Sequence, residues 1–388
     1  METWLLYIVI VVAIASGWWL GRRERTKKTS SNISNYYQGL NHILNEEPDR
    51  AVASFINDLE VNSDTIDTHL ALGGLLRRRG EIEKAVVVHE NILQRASLDK
   101  DAMHQVQLEL ARDYLLAGLL DRAEELSVKL DGANPSIKRD SLKITLEIYE
   151  REQEWAQAIE VAKLLAVGDE GEKYEKAISH YYCEIAEAKL GKFHIDEART
   201  AVSNAIGHNV NNPRSYLIQG QMDINEKRYD DAIKVLQRIG KQDPVYVPES
   251  LELLSIAYEG SEKPAELFRE YLLDCLKHTP SISIVLTIAS SIRDESGDEA
   301  VAKFVANHLK TNPTIRGLTQ LIDLHIDNTH GVAKQNLAIL RSFAEALVAD
   351  KPAYRCNNCG FEGKKMRWHC PSCKDWATIK PIFGLEGE

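Results

Sequence analysis

Residues 70–93 read LALGGLLRRRGEIEKAVVVHENIL, and this stretch contains the pattern that determines the fold of most of the chain. Gly73 lies in one apolar segment with helical periodicity, and Ala85 lies twelve residues later in the next one. The polar segment between them contains Gly80, which favours a turn. Because small residues at positions 73 and 85 let two helices approach closely, the stretch predicts a tightly packed helical hairpin.

The same hairpin pattern recurs along the chain. Gly39 and Ala51 are also twelve residues apart, as are Gly220 and Ala232. Alanines at the equivalent position follow one another at intervals of 33 to 40 residues, and they are Ala51, Ala85, Ala123, Ala158, Ala198, Ala232, Ala265 and Ala300. This spacing resembles that of tetratricopeptide repeats, whose helix–turn–helix unit is about 34 residues long.

The repeats predict an all-α architecture. A single hairpin cannot bury its apolar face alone, so residues 32–350 are expected to form a tetratricopeptide-repeat solenoid of about eight to nine stacked repeats. The pattern weakens after Pro313, and the last hairpin is therefore expected to be irregular. A stack of helix pairs offers a concave surface that suits peptide or protein ligands.

The N-terminal segment predicts a transmembrane helix. Residues 3–21 carry no charge, and 19 residues of helix span about 28 Å, close to the hydrocarbon thickness of a bilayer. The basic segment RRERTKK follows at residues 22–28, and positive flanks stay in the cytoplasm. We therefore expect a single-pass anchor over residues 1–21, a basic juxtamembrane linker over 22–31, and the bulk of the chain in the cytoplasm.

A cleaved signal peptide is the alternative for this segment, because Ala13-Ile14-Ala15 resembles a cleavage site. A signal peptide carries its positive charge before the apolar run, whereas here the positive charge follows it. The order of charges favours an uncleaved anchor. Gly17 and Gly21 have the GxxxG spacing that allows close helix packing, which leaves a homodimer open.

Near the other end of the chain, Cys356 and Cys359 form one CxxC pair, and Cys370 and Cys373 form a second. Cytoplasmic thiols are kept reduced, so paired CxxC motifs there indicate metal binding rather than disulfides. Four thiolates in a tetrahedral arrangement suit Zn²⁺ or iron, and a closed shell leaves no open position for catalysis. The sequence predicts one structural metal ion, with Zn²⁺ favoured over iron, in a rubredoxin-like ribbon over residues 351–388.

The ribbon contains more aromatic surface than so small a module can bury alone. Phe361, Trp368 and Trp376 all lie within it, and it follows Pro352 without a glycine- or serine-rich linker. We therefore expect the ribbon to dock against the last helices of the array.

Other functions receive less support from the sequence. It contains no HExxH, Walker A, GxSxG or dinucleotide-binding motif, so we predict no catalytic residue, no organic cofactor site and no enzyme activity. The net charge of −11 disfavours nucleic acid, although Lys364, Lys365 and Arg367 form a small basic patch. The main alternative is a membrane-tethered, iron-containing electron carrier, because rubredoxins use the same four sulfurs.

The combination of these features resembles a known family. YRCNNCGF at residues 354–361 and WHCPSCKDWATIKPIFGLEG at 368–387, together with the anchor and the array, are similar to the lipopolysaccharide assembly protein B family of Gram-negative bacteria. The resemblance implies a single-pass inner-membrane protein, with its bulk in the cytoplasm, that regulates lipopolysaccharide synthesis.

The family resemblance also implies partners. It implies an adaptor for the membrane-anchored AAA+ protease FtsH. Such an adaptor promotes degradation of LpxC, the deacetylase that commits precursors to lipid A. It further implies contacts with other lipopolysaccharide-assembly proteins. Without the resemblance, the apolar segment, the repeats and the cysteines indicate only a tethered, metal-containing scaffold for protein ligands.

Overall fold

The structure is a computed structural model that describes residues 12–19, 50, 65–95, 98–168 and 170–388. Residues 12–19 are helical. Within the described parts of the chain, no helix combines the length and the apolar character needed to cross a bilayer. Most of the predicted anchor, the whole predicted linker, and the predicted hairpin that contains Gly39 and Ala51 lie outside the described residues.

The chain divides into two compact units, Met1–Leu165 and Ala166–Glu388. In the described part of the first unit, consecutive helices pack as hairpins. These helices are α1 (Ile66–Arg78), α2 (Ile82–Arg95), α3 (Lys100–Ala117), α4 (Leu120–Lys129), α5 (Pro135–Glu152) and α6 (Trp155–Leu165).

The second unit contains further helices and a small sheet. The helices are α7 (Gly171–Leu190), α8 (Ile195–His208), α9 (Pro213–Asn225), α10 (Tyr229–Gln242), α11 (Val247–Gly260), α12 (Ala265–His278), α13 (Ile282–Thr311), α14 (Ile315–Asp327) and α15 (Val332–Val348). A short 3₁₀ helix, Pro244–Tyr246, precedes α11, and α13 is interrupted at Gly297, where φ is 77° and ψ is 179°. The strands are β1 (Tyr354–Cys356), β2 (Glu362–Gly363) and β3 (Ile379–Pro381).

Five hairpins turn in the same way. The first helix of α1/α2 ends in a Schellman motif, in which Gly80 N–H donates to Arg77 O at 3.0 Å and Glu81 N–H donates to Leu76 O at 2.9 Å. In each of these hairpins, the left-handed residue of the motif lies five positions before the repeat alanine. These residues are Gly80, Gly118, Gln153, Phe193 and Lys227. Only two of them are glycine, so glycine marks only some of the turns.

The repeat alanines are buried in these same five hairpins. Each is the fourth residue of the second helix and is 0% exposed, and they are Ala85, Ala123, Ala158, Ala198 and Ala232. The prediction is wrong for Ala265 and Ala300. Ala265 is exposed because α12 begins there, after Pro264, which places Phe268 at the fourth position. Ala300 is only partly buried and lies inside α13, shortly after the interruption.

The repeat glycines also mark close helix contacts, but their partners are not the alanines. A Cβ atom at Gly73 would lie 2.3 Å from His89 Nε2, and one at Gly220 would lie 2.6 Å from Leu236 Cδ2. His89 and Leu236 each follow the buried alanine by one helical turn. The glycine therefore makes room for the side chain one turn after the alanine.

Ala232→Leu is expected to destabilise the chain by about 1–3 kcal/mol, because the fully buried site in α10 has no space for the added carbons. Thermal unfolding monitored by circular dichroism measures the change. Ala265→Leu is the matched control, since Ala265 is exposed at the start of α12 and should tolerate leucine. Equal effects of the two substitutions would contradict the repeat register.

Candidate metal centre

The C-terminal ribbon is built on a very small sheet. β1 lies in the centre and pairs antiparallel with β2 on one side and with β3 on the other. Cys356 at the end of β1 lies opposite Ile379 at the start of β3. Strands of two or three residues are too short to be stable alone, so other interactions must hold the ribbon together.

The structure brings the four predicted ligands together beside this sheet. Cys356 Sγ lies 3.7 Å from Cys373 Sγ, and Cys359 Sγ lies 3.6 Å from Cys370 Sγ. All four sulfurs lie within 4.8 Å of one another, and among the described residues no other His, Cys, Asp and Glu side chains form such a group. Four sulfurs bound at about 2.3 Å to a tetrahedral Zn²⁺ would be separated by about 3.8 Å, so the cluster has the dimensions of such a site.

The two CxxC segments fold into equivalent turns. Gly360 N–H donates to Cys356 O at 3.0 Å, and Lys374 N–H donates to Cys370 O at 3.0 Å. Both turn residues are left-handed, with φ of 76° at Gly360 and 61° at Lys374. Glycine adopts this conformation freely, whereas at lysine it costs roughly 1–2 kcal/mol. The second turn is therefore held by its surroundings rather than by local preference.

The environments of the thiols differ. Burial raises the pKa of Cys356, but hydrogen bonds from the Thr378 hydroxyl and from nearby backbone amides outweigh it and lower this pKa to about 6. The Thr378 hydroxyl lies 3.2 Å from Cys356 Sγ. A backbone hydrogen bond from Phe361 lowers the pKa of Cys359, whereas burial raises the pKa of Cys373 to about 12. Hydrogen bonds thus lower the pKa of two of the four thiols, Cys356 and Cys359.

His369, which adjoins Cys370, lies outside the sulfur cluster. Its Nε2 atom is 2.8 Å from Lys374 O, and its ring stacks on Trp376 with centroids 4.5 Å apart. The histidine therefore supports the second turn and the aromatic packing of the ribbon.

Aromatic residues fix the ribbon to the helices of its own unit. The Trp376 ring also stacks on His180 of α7 at 5.1 Å and meets the edge of Tyr181 at 5.6 Å. Trp368 lies 5.3 Å from the ring of Tyr246. Burial lowers the pKa of His180 to about 3, so its ring is neutral at physiological pH and stacks without a desolvated charge.

Hydrogen bonds surround this aromatic contact. Tyr246 Oη is within 3.1 Å of the carbonyl oxygens of Ala377 and Ile379, which lets it donate to either. Lys380 Nζ donates to Asp243 Oδ2 at 2.8 Å. In addition, the Tyr354 hydroxyl donates to Glu249 at 2.7 Å. The ribbon is therefore held by specific polar groups as well as by apolar surface.

The end of the chain continues the contact to later helices. Glu388 accepts hydrogen bonds from the Ser281 hydroxyl at 2.8 Å and the Ser283 amide at 3.1 Å, at the start of α13. Ile315 N–H, at the start of α14, donates to Leu385 O at 2.8 Å.

The expectation that the ribbon docks against the last helices is therefore only partly correct. Its Trp376 contacts α7, its Trp368 contacts the segment before α11, and its final residues reach α13 and α14. His180, Asp243 and Tyr246 are not among the residues that the sequence indicated for docking. Tyr246 lies between Pro244 and Pro248, and this unusual position is the one local signal that could have identified it.

Comparisons with known proteins agree with this geometry. A family model described as "Rubredoxin metal binding domain" matches residues 354–381. The chain is 34% identical over 389 residues to Lipopolysaccharide assembly protein B of Escherichia coli strain K12, covering 99% of each chain. It is 28% identical over 397 residues to Lipopolysaccharide assembly protein B of Haemophilus influenzae, covering 98% of this chain and 99% of that protein.

Solved structures that match the chain include Pseudomonas aeruginosa pilF and yeast Tom70. The first is 16% identical with a TM-score of 0.30, and the similarity covers 57% of this chain and 95% of that one. The second is 15% identical with a TM-score of 0.31, with coverage of 82% and 85%.

Proposed function

The chain belongs to the lipopolysaccharide assembly protein B family, and we propose that it acts as a non-enzymatic adaptor in lipopolysaccharide synthesis. The observation that carries this proposal is the 34% identity to the Escherichia coli protein over 99% of both chains. The aligned residues span the helical hairpins as well as the ribbon, so the similarity is not confined to one module.

We propose that Cys356, Cys359, Cys370 and Cys373 hold one structural metal ion, with Zn²⁺ favoured. When bound, the ion joins the two CxxC turns and supplies much of the folding free energy of the ribbon. A four-sulfur shell leaves no position for substrate, so the role of the metal is to hold the ribbon in its docked form. The contacts of Trp376 and Tyr246 then hold the folded ribbon against the helices.

The proposed mechanism is local concentration of a client and a protease at the membrane. Residues 3–21 anchor the chain in the inner membrane, and the helical hairpins lie in the cytoplasm and bind protein partners. The partners that we propose are the FtsH-type protease and the LpxC deacetylase. Because the adaptor holds both proteins at the membrane, the effective concentration of the client at the protease is much higher than in free solution.

The proposal is tested in Gram-negative cells depleted of their own protein of this family. Expression of the full chain should restore rapid turnover of the deacetylase, measured as its half-life after protein synthesis is stopped. The protease and the deacetylase should co-purify with the chain from isolated membranes.

Two variants separate the parts of this proposal. Replacing residues 3–21 with an unrelated single-pass segment should preserve turnover, whereas deleting residues 1–21 should lengthen the half-life because tethering is lost. A deacetylase half-life that does not respond to the full chain would contradict the adaptor role.

A further inference from the structure

The last helix, α15, has two apolar faces, but among the described residues only one of them is covered. Ala344 is buried and Leu337, Arg341 and Val348 are partly buried where α15 packs against α14. An ion pair of 2.5 Å between Arg341 and Asp323 of α14 fixes this orientation.

The other side of α15 is an exposed apolar stripe. It is formed by residues spaced as one helical face, each more than half exposed, and they are Val332, Ile339, Leu340, Phe343 and Leu347. The charged residues of α15 are Lys334, Arg341 and Glu345, and at about 100° per residue they lie on the opposite side. The terminal helix of a repeat array normally presents a polar outer face to solvent, which this stripe does not.

The apolar area of the stripe is large enough for a specific protein interface. Five large apolar side chains exposed to this extent present on the order of 500 Å² of apolar surface, a size at which patches are often functional. Pairing of this face with an identical face would bury about 1,000 Å² in total, which reaches the lower limit for a specific interface. A lipid surface fits less well, because membrane-binding helices place basic residues beside the apolar face.

We propose that the α15 stripe is an isologous interface with a second copy of this chain, in which the two helices run antiparallel. The twofold axis passes between Ile339 and Leu340, so that Val332 lies opposite Leu347 of the second copy. The same symmetry places Phe343 opposite Asn336, a smaller uncharged side chain that leaves room for the ring. The interface does not depend on the proposed clients or on the metal.

Chemical cross-linking of the full chain tests this arrangement. Leu340→Cys should cross-link to itself through a short bismaleimide, well above the background of the unmodified chain, because residue 340 lies at the axis. Val332→Cys should not cross-link to itself, since the two copies of residue 332 are about 22 Å apart along the helices. A mixture of Val332→Cys and Leu347→Cys chains should cross-link between the two.

A second substitution removes the apolar contact. Adding Phe343→Asp to the Leu340→Cys chain should reduce the cross-linked fraction at least tenfold. Adding Phe193→Asp is the matched control, because Phe193 is 88% exposed in the turn between α7 and α8, and it should leave the yield unchanged. Unchanged bound zinc and helicity in each variant would show that it is folded.

Three outcomes would overturn the proposal. They are background-level cross-linking of Leu340→Cys, self-cross-linking of Val332→Cys, and an undiminished yield after Phe343→Asp. If Leu340→Cys cross-linking stayed at background while Phe343→Asp weakened the binding of a chain lacking residues 1–21 to vesicles of anionic phospholipid, the occupant of the stripe would be a bilayer.

Discussion

Cys359→Ser is expected to abolish metal binding and to unfold the ribbon, while leaving the helices of the first unit intact. Serine is a poor ligand for a soft metal site, so one of four sulfur contacts is lost. Structural zinc sites contribute roughly 10–16 kcal/mol of apparent binding free energy, far more than strands of two or three residues can replace. The first unit has its own core around Leu108, Leu130 and Ile148, which the ribbon does not share.

Three measurements on the Cys359→Ser chain check this result. Bound metal should fall from about one equivalent to near zero, far-ultraviolet helicity should largely persist, and deacetylase turnover in cells should slow. Cys183→Ser is the matched control, because Cys183 is a buried thiol of α7 outside the sulfur cluster, and its replacement should leave bound metal unchanged. Normal turnover with no bound metal would show that the ribbon is dispensable for the adaptor.

The metal itself is identified in the same preparation. A zinc site should be colourless, whereas a ferric tetrathiolate should absorb strongly in the visible range. Iron as the main occupant of protein purified from cells would support the electron-carrier alternative.

Trp376→Ala is expected to undock the ribbon without releasing its metal, because Trp376 supplies packing and no ligand. Removing a tryptophan from a well-packed site costs about 3–5 kcal/mol. Here the loss exposes His180 and Tyr181 of α7 to water. Hydrogen exchange should accelerate in the 3₁₀ helix Pro244–Tyr246 and at the start of α11, while bound metal stays near one equivalent.

A conservative substitution separates packing from general damage to the ribbon. Trp376→Phe keeps an aromatic ring between His369 and His180 and should retain most of the protection from exchange. If Trp376→Ala lost its metal as completely as Cys359→Ser, docking and metal binding would be one inseparable event. Unchanged exchange in Trp376→Ala would contradict the role of this contact.

Local sequence signals were sufficient for features that depend on neighbouring residues. The twelve-residue spacing from Gly73 to Ala85 predicted a close hairpin, because the two small residues and the turn between them all lie within one pair of neighbouring helices. The CxxC pairs likewise placed four sulfurs in one small module. The predicted register failed where the repeat alanine is not the fourth residue of its helix. α12 begins at Ala265, directly after Pro264, so Ala265 is exposed instead of packed.

Long-range docking could not be predicted from periodicity. His180 and Tyr181 fall in the apolar pattern of α7 and resemble ordinary core residues. Nothing local distinguishes a helix face covered by the next hairpin from one covered by the ribbon. The excess aromatic surface of Trp368 and Trp376 correctly indicated that the ribbon docks, but it did not indicate which helices the ribbon contacts.

The docking of the ribbon also has a consequence for synthesis of the protein. Tyr246 and its carbonyl partner Ala377 are 131 residues apart in the chain. At about 5–20 residues per second, the ribosome needs on the order of ten seconds to make the intervening segment. During that interval the growing chain displays apolar surface around Tyr246 that only the last residues can cover. A chain released before residue 354 would display it permanently, and chaperones and proteases could thereby distinguish truncated copies from complete ones.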